Sequence, residues 1–284
     1  MVLKSVASAL SHLVKLVTCD DEVDASVAFI HSELAECRYV RRLSGFARLA
    51  MLDMGCDPTK QFLVESFADG AAVETDGLVT GGQILTFGVT EQIPSSIPRF
   101  YIEGYLFPAE LQHEGVCEIQ GVSDAALKAS GLDNSGFSVE MRLQDGHASV
   151  IEVNGRLGWD DGFGEMFEAR IGKQPSRMAL EMALGRHPAL LHTSDCFAAV
   201  AYRNCYEDCI IEKMPAPDEM EKLQSAGLRY GMVAQEGMRF YAPPHIDVHP
   251  HVAWALAKDK ISSRIAYDRA LQNIDRLRIS VRSV

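Results

Sequence analysis

An α+β fold, a central antiparallel sheet with flanking helices, is what this sequence predicts, and three observations carry it. Two strand-like segments, residues 72–79 and 83–90, meet at Gly81-Gly82, a strong hairpin signal. A second hairpin is legible over 137–154, where apolar and polar residues alternate on both sides of a short turn. Helical segments run beside them: 109–131 with Gly131 past its end, and a helix that Pro175 opens and Gly185 closes. A chain of 284 residues has room for one large domain or two to three subdomains.

The remaining elements follow in order. Residues 1–6 (MVLKSV) and 13–17 (LVKLV) read as short strands joined by a small-residue turn over 7–12. Asp20 or Asp21 caps a helix whose stripe is Val23, Val27, Ile30 and Leu34, at helical spacing. Residues 38–60 read as irregular or helical and end at the turn signal Asp57-Pro58. Residues 61–67 (QFLVESF) read as a buried strand that Asp69-Gly70 ends. The stretch 90–108, with Pro94, Pro98 and Pro108, reads as looser chain, and 155–163 (GRLGWDDGF) as a Gly-rich loop. In the tail, strands are expected near 196–203, 206–213, 228–234 and 237–241, with breaks at Pro215, Pro217 and Pro243-Pro244. A helix over 258–275 leads to a last strand, 277–281.

Composition narrows the function classes. Hydrophobic content of 47% and charged content of 23% are ordinary globular usage. A net charge of -12, with no dense basic stretch beyond Arg38, Arg41 and Arg42, argues against a nucleic-acid partner. An acidic protein that binds phosphates must concentrate its few cations locally. Seven scattered cysteines, an odd number without a CxxC pair, read as free thiols of a cytoplasmic protein. Cys205 and Cys209 lack a second ligand pair, so zinc is not expected. The opening run is not read as a signal peptide because Lys15 interrupts it, and no stretch is long enough to span a membrane. His245, Asp247, His249 and His251 lie in PPHIDVHPH, which reads as a solvated, proline-stiffened loop.

The hairpin over 137–154 carries the chemistry. In FSVEMRL, Ser138, Glu140 and Arg142 alternate with apolar residues; in IEVN, Glu152 and Asn154 do. Whether the two polar faces coincide depends on the turn. A two-residue turn at Asp145-Gly146 would pair Glu140 with Ile151 and separate the two glutamates. A three-residue loop over 144–146 pairs Leu143 with His147 and makes Glu140 and Glu152 diagonal neighbours; this register is the expected one. Two carboxylates and an amide oxygen suit a hard ion, and magnesium takes one or two carboxylates and fills its shell with water and phosphate oxygens. Arg156 reaches the same side and can neutralise phosphate charge.

In these pieces the sequence resembles an ATP-grasp carboxylate–amine ligase. VLKSVASALSHLV resembles the family's strand and phosphate loop, FLVESFADG its adenine hinge, and GFSVEMRL with VIEVNGRLG its metal hairpin; FEARIGKQPSRMALEMALG and ISSRIAYDRALQNI continue the likeness. The resemblance implies an ATP-grasp-like fold with the remnant of a nucleotide lid over 1–60, a central subdomain over 61–190 and an α/β subdomain over 191–284. It implies that Lys4 and Ser11 contact nucleotide phosphate, and that the backbone at Glu65, Ser66 and Phe67 reads adenine. Glu140, Glu152 and Asn154 would hold magnesium, and Arg156 would steady the phosphoryl group. ATP and Mg2+ are the implied cofactors. The implied reaction joins a small carboxylate of the amino-acid kind to an amine through an acyl phosphate.

The sequence also departs from the family. The likeness covers the family's later part; its upstream domain and first part of the lid have no counterpart here. That predicts exposed apolar surface over residues 1–60 and lower stability there than in 137–154. The phosphate loop is normally Gly-rich, whereas Ser8, Leu10 and Leu13 stand at its glycines. Ala72 stands where an acid for ribose is expected, with Glu74 nearby, and Ser5 replaces the proline after the loop lysine. Three readings follow: the ligase; a non-catalytic remnant that binds nucleotide or completes a partner chain or a homo-oligomer; and a structural domain with a fortuitous acidic hairpin.

Overall fold

The computed structural model describes residues 1–284 apart from Ser8, Leu10, 191–194 and 244–249. Ser8 and Leu10 of the loop, and His245, Asp247 and His249, therefore lie outside the described residues.

The chain opens with a small layer. Strands β1 (Val2–Ser5), β2 (Val14–Leu16) and β3 (Phe62–Glu65) form a three-stranded antiparallel sheet in the order β2-β1-β3. Helices α1 (Val23–Leu34) and α2 (Arg38–Leu49) accompany it, and Leu3, Leu13, Val17, Ile30, Leu34, Cys37 and Val40 form its core. The stripe read from the sequence is the buried side of α1. Strand β3 corrects the expectation of a buried strand: Leu63 is 40% and Val64 59% exposed. It is an edge strand that, among the described residues, pairs with β1 alone. Phe46, Leu49, Met51 and Leu52 are exposed as well, as expected for this part of the chain.

The centre is one eight-stranded sheet, ordered β11-β13-β9-β6-β5-β4-β7-β8, in which every pairing is antiparallel. It comprises β4 (Ala71–Thr80), β5 (Gln83–Pro94), β6 (Ile102–Phe107), β7 (Ser135–Gln144), β8 (His147–Asn154), β9 (Phe197–Asn204), β11 (Arg229–Met232) and β13 (His251–Asp259). Helix α3 (His113–Ser130) covers one face and ends at Gly131, whose φ of 67° suits glycine. On the face with the Phe87 and Tyr105 side chains lie α4 (Phe163–Ile171) and α5 (Pro175–Ala183), their Phe163, Met166, Phe167 and Met178 packed into that core. Pro175 stands in the first turn of α5 and Gly185 follows its end, as the sequence indicates.

The tail adds a second small sheet, β12-β10-β14, from β10 (Cys209–Lys213), β12 (Arg239–Phe240) and β14 (Ser280–Ser283), with α6 (Pro217–Ser225) and α7 (Ser263–Asp275). Three elements differ from the sequence reading. The looser stretch 90–108 holds the rest of β5 and all of β6, because its prolines fall at strand ends rather than inside them. Residues 251–259 are strand β13, so the last helix starts at Ser263, where the Ser262 side chain accepts from Arg264 and Ile265 amides. Pro217 begins a helix instead of breaking the chain. His251 is not solvated: it is 4% exposed and its ring stacks on Tyr202 at 4.1 Å.

Candidate active site

The turn of the β7–β8 hairpin has two residues, and its register corrects the expected one. Gln144 pairs with His147, and Asp145 and Gly146 take φ of 51° and 81°, the signature of a type I′ turn. Left unbroken, that turn would set the glutamates on opposite faces. A β-bulge intervenes: Met141 pairs with Val150 and Glu140 with Glu152, so Ile151 is the extra residue. The bulge restores the face, and the two glutamates stand directly opposite rather than diagonal. Ser138 likewise faces Asn154.

This polar row continues inward. Glu74 on β4 pairs with Glu140, and Asp76 with Ser138. Gln92 on β5 donates from Nε2 to Glu74 Oε2 at 2.8 Å. Depth is graded across the strands: Glu152 is exposed, Glu140 half-buried, Glu74 3% and Gln92 7% exposed. The row forms one wall of a cleft of about 740 Å³ between the small N-terminal layer and the main sheet. Every sequence-derived site residue, Lys4, Ser11, Glu65, Ser66, Phe67, Glu140, Glu152, Asn154 and Arg156, lines this one cleft.

The opposite wall carries the expected phosphate and adenine residues. Lys4 pairs with Glu65 at 2.8 Å across β1 and β3. Ser11 Oγ donates to the Phe100 carbonyl at 2.5 Å. Ser11 and Leu13 have φ of 57° and 58°, a left-handed conformation that glycine adopts without strain. The backbone path thus suits glycine while the side chains do not. Leu13 is 3% exposed and packs into the small core.

Burial and like charges shape the acid wall. Burial, then the charge of Glu152, pushes the Glu140 carboxyl up to about 8. Burial likewise raises Asp76 to about 7, offset by the Gly158 amide and by Arg156. Glu74 is raised well above the usual range by burial, then by Asp76 and Glu140. Glu74 Oε1 and Asp76 Oδ2 are buried without a hydrogen-bond partner. Asp76 Oδ1 accepts from the Gly158 amide at 3.0 Å, which ties the Gly-rich loop to β4. Asp160 accepts from the Tyr105 hydroxyl, and burial, then Asp160, holds that hydroxyl protonated.

These donors fit a hard divalent ion. Glu140 and Glu152 have no Lys or Arg in ion-pair contact among the described residues, and Asn154 Nδ2 donates to Glu152 Oε1 at 2.8 Å. Among the described residues no three His, Cys, Asp or Glu side chains converge on one metal position. Two carboxylates and an amide, with further ligands supplied from elsewhere, would suit magnesium better than zinc. Cys205 and Cys209 are free thiols.

Sequence reading missed Gln92, Asp76 and Tyr105. A signal existed for Asp76: in AAVETDGLVT, two acids fall at alternate positions of an otherwise apolar strand, so both face one side. Gln92 and Tyr105 sit in the stretch read as loose chain and carried no such mark.

Comparison with known proteins places the fold. The family model described as the ATP-grasp domain matches residues 1–161, more than half of the chain, and the chain belongs to that family. It is 30% identical over 126 residues to Uncharacterized protein y4rH of Sinorhizobium fredii, covering 40% of this chain and 26% of that protein. It is 26% identical over 96 residues to carnosine synthase 1 of Mus musculus, covering 34% of this chain and 12% of that protein. Its structure is similar to that of L-amino acid ligase from Bacillus licheniformis, with a TM-score of 0.73 and 18% identity, over 100% of this chain and 64% of that one. The matched stretches thus cover about a quarter and an eighth of the two sequence relatives, and the chain spans under two thirds of the ligase. Among the described residues no helix is long and apolar enough to cross a membrane.

Proposed function

We propose that this chain acts in an ATP- and magnesium-dependent ligase that joins a small carboxylate, of the amino-acid kind, to an amine through an acyl phosphate. One observation carries the reading: Glu140 and Glu152 face each other on adjacent strands, beside Asn154 and Arg156, on the wall of a cleft whose other side is the N-terminal layer. Magnesium held there would supply positive charge against the nucleotide phosphates. Glu140, Glu152 and the Asn154 amide oxygen would hold it from the main sheet, while Asn154 Nδ2 keeps Glu152 oriented. Lys4 meets nucleotide phosphate once Glu65 releases it. Arg156 lies at the open side and neutralises the phosphoryl group. Phe163 of α4 lines the same cleft.

The names of two similar proteins, an L-amino acid ligase and carnosine synthase 1, support a ligase that acts on amino acids. The test is direct. Purified protein with magnesium, ATP and mixed amino acids should release phosphate in step with amide formation. Glu152→Gln should abolish magnesium-dependent nucleotide binding while the protein stays folded. Unchanged nucleotide affinity in that variant would overturn the assignment of the site. Tight nucleotide binding with no phosphate release across a broad panel would instead favour the non-catalytic reading, which the side chains of Ser11 and Leu13 at glycine-like φ values support.

A further inference from the structure

The cleft wall inside the Glu140–Glu152 pair is more acidic than a magnesium site requires. Glu74 stands beside Glu140 on the next strand and is 3% exposed. Its Oε2 is held by Gln92, while its Oε1 is buried, without a partner, on a residue that lines the cleft. Asp160 lines the same end, its carboxylate fixed by the Tyr105 hydroxyl. Among the described residues neither acid makes an ion pair. The Tyr105 and Phe163 rings, 4.6 Å apart between centroids, supply an apolar wall beside them. A buried oxygen held in place yet lacking a donor calls for a ligand that brings one.

Resting on the ligase reading, we propose that Glu74 and Asp160 form a subsite for the ammonium group of the carboxylate substrate, which makes that substrate an amino-acid zwitterion. The arrangement fits the charges at both ends. The substrate carboxylate belongs beside Glu140, where magnesium and the phosphates gather, and Arg156 serves the same end. The ammonium group belongs one strand further in. Neighbouring strands lie about 4.8 Å apart, a step that a single small zwitterion bridges. The subsite assigns Glu74 to the ammonium group and not to the metal, in keeping with the finding that no three acidic side chains converge on one point among the described residues. Gln92 and Tyr105 are positioning residues: each holds one oxygen of an acid and leaves the other for the ligand.

Glycine and glycolate test this, being alike in size and carboxylate and differing in ammonium against hydroxyl. Each is titrated into the protein loaded with magnesium and ADP, followed by calorimetry. The wild type should bind glycine at least about tenfold more tightly than glycolate, as a charge-assisted hydrogen bond to the Asp160 carboxylate together with a second bond to Glu74 requires. Glu74→Gln, which keeps the hydrogen bond to Gln92, should shrink that preference about tenfold and leave the magnesium–ADP affinity unchanged. Asp160→Asn provides a second variant with the same expected loss. Equal binding of glycolate and glycine, no glycine binding at all, or an intact preference in both variants would overturn the subsite. A changed magnesium requirement in Glu74→Gln would also overturn it, by making Glu74 a metal ligand. Failure of the wild type to bind magnesium–ADP is a separate result and removes the ligase reading itself.

Discussion

Strands β4 and β7 present two faces with opposite physics. On one, Val73, Phe137, Val139 and Met141 pack with Ile119 and Leu127 of α3 into a closed apolar core. On the other, one residue over at each step, stand Glu74, Asp76, Ser138 and Glu140. The backbone and its hydrogen bonds are shared, so the difference lies wholly in the side chains. The apolar face supplies stability through removal of surface from water. The polar face gives stability away, because carboxylates are held close together and away from solvent. Binding sites of this sort are affordable only on a sheet whose reverse side is well packed.

The largest effect expected of this contrast is on the apolar side. Phe137 is fully buried and its ring sits where a Cβ on Gly77 would fall, at 2.6 Å. Phe137→Ala should lower unfolding free energy by about 3–5 kcal/mol in chemical denaturation, as large-to-small core changes do. A loss below about 1 kcal/mol would mean that the packed face is not what supports the acids.

Next comes the pH dependence of the metal-free protein. The folded carboxyls of Glu140 and Asp76 titrate at about 8 and about 7, above their ordinary 4.5 and 3.8. Between the ordinary and the raised values the folded state holds protons that the unfolded chain has released. Stability is therefore full below the ordinary values and falls as pH rises through the window up to about 8. Denaturation midpoints should drop from pH 5.5 to pH 8, and Asp76→Asn should flatten the slope. A midpoint that rises over this range would contradict the electrostatic account of the polar face.

The smallest effect concerns the turn that sets register. Gly146 has φ of 81°, and a Cβ there meets no atom within 4 Å, so the penalty for alanine is conformational alone. Gly146→Ala should cost about 1–2 kcal/mol, the price of left-handed backbone for an L-residue. Amide exchange should show the bulge at Ile151 retained, because the bulge is fixed by burial of Met141 and not by the turn.

Much of this was legible in particular residues. Alternation in FSVEMRL and IEVN marked one polar face on each strand, and Gly81-Gly82 and Asp145-Gly146 marked the hairpins. Other elements were hidden for identifiable reasons. Strand β6 lies between Pro98 and Pro108, so its six residues were masked by turn-forming neighbours. In HVAWALAKD the alanines remove the alternation that marks a half-buried strand, since β13 is buried on both faces between β9 and β11. Strand β3 is apolar enough to read as buried, yet exposure depends on what packs against it, and that is not encoded locally.

What the sequence alone determined is the local chemistry: which residues share a face of a strand, where the chain turns, and that oxygen donors for a hard ion sit beside an arginine. Those follow from a two-residue period and from glycine's freedom at positive φ, both properties of neighbouring residues. Only the tertiary structure decided that a bulge brings Glu140 opposite Glu152, that Glu74 and Gln92 extend the row, and that the Tyr105 hydroxyl meets Asp160. Those depend on strand order, β6-β5-β4-β7-β8, which pairs residues as far as 72 positions apart, Ala71 with Leu143, and no local pattern specifies such long-range pairing.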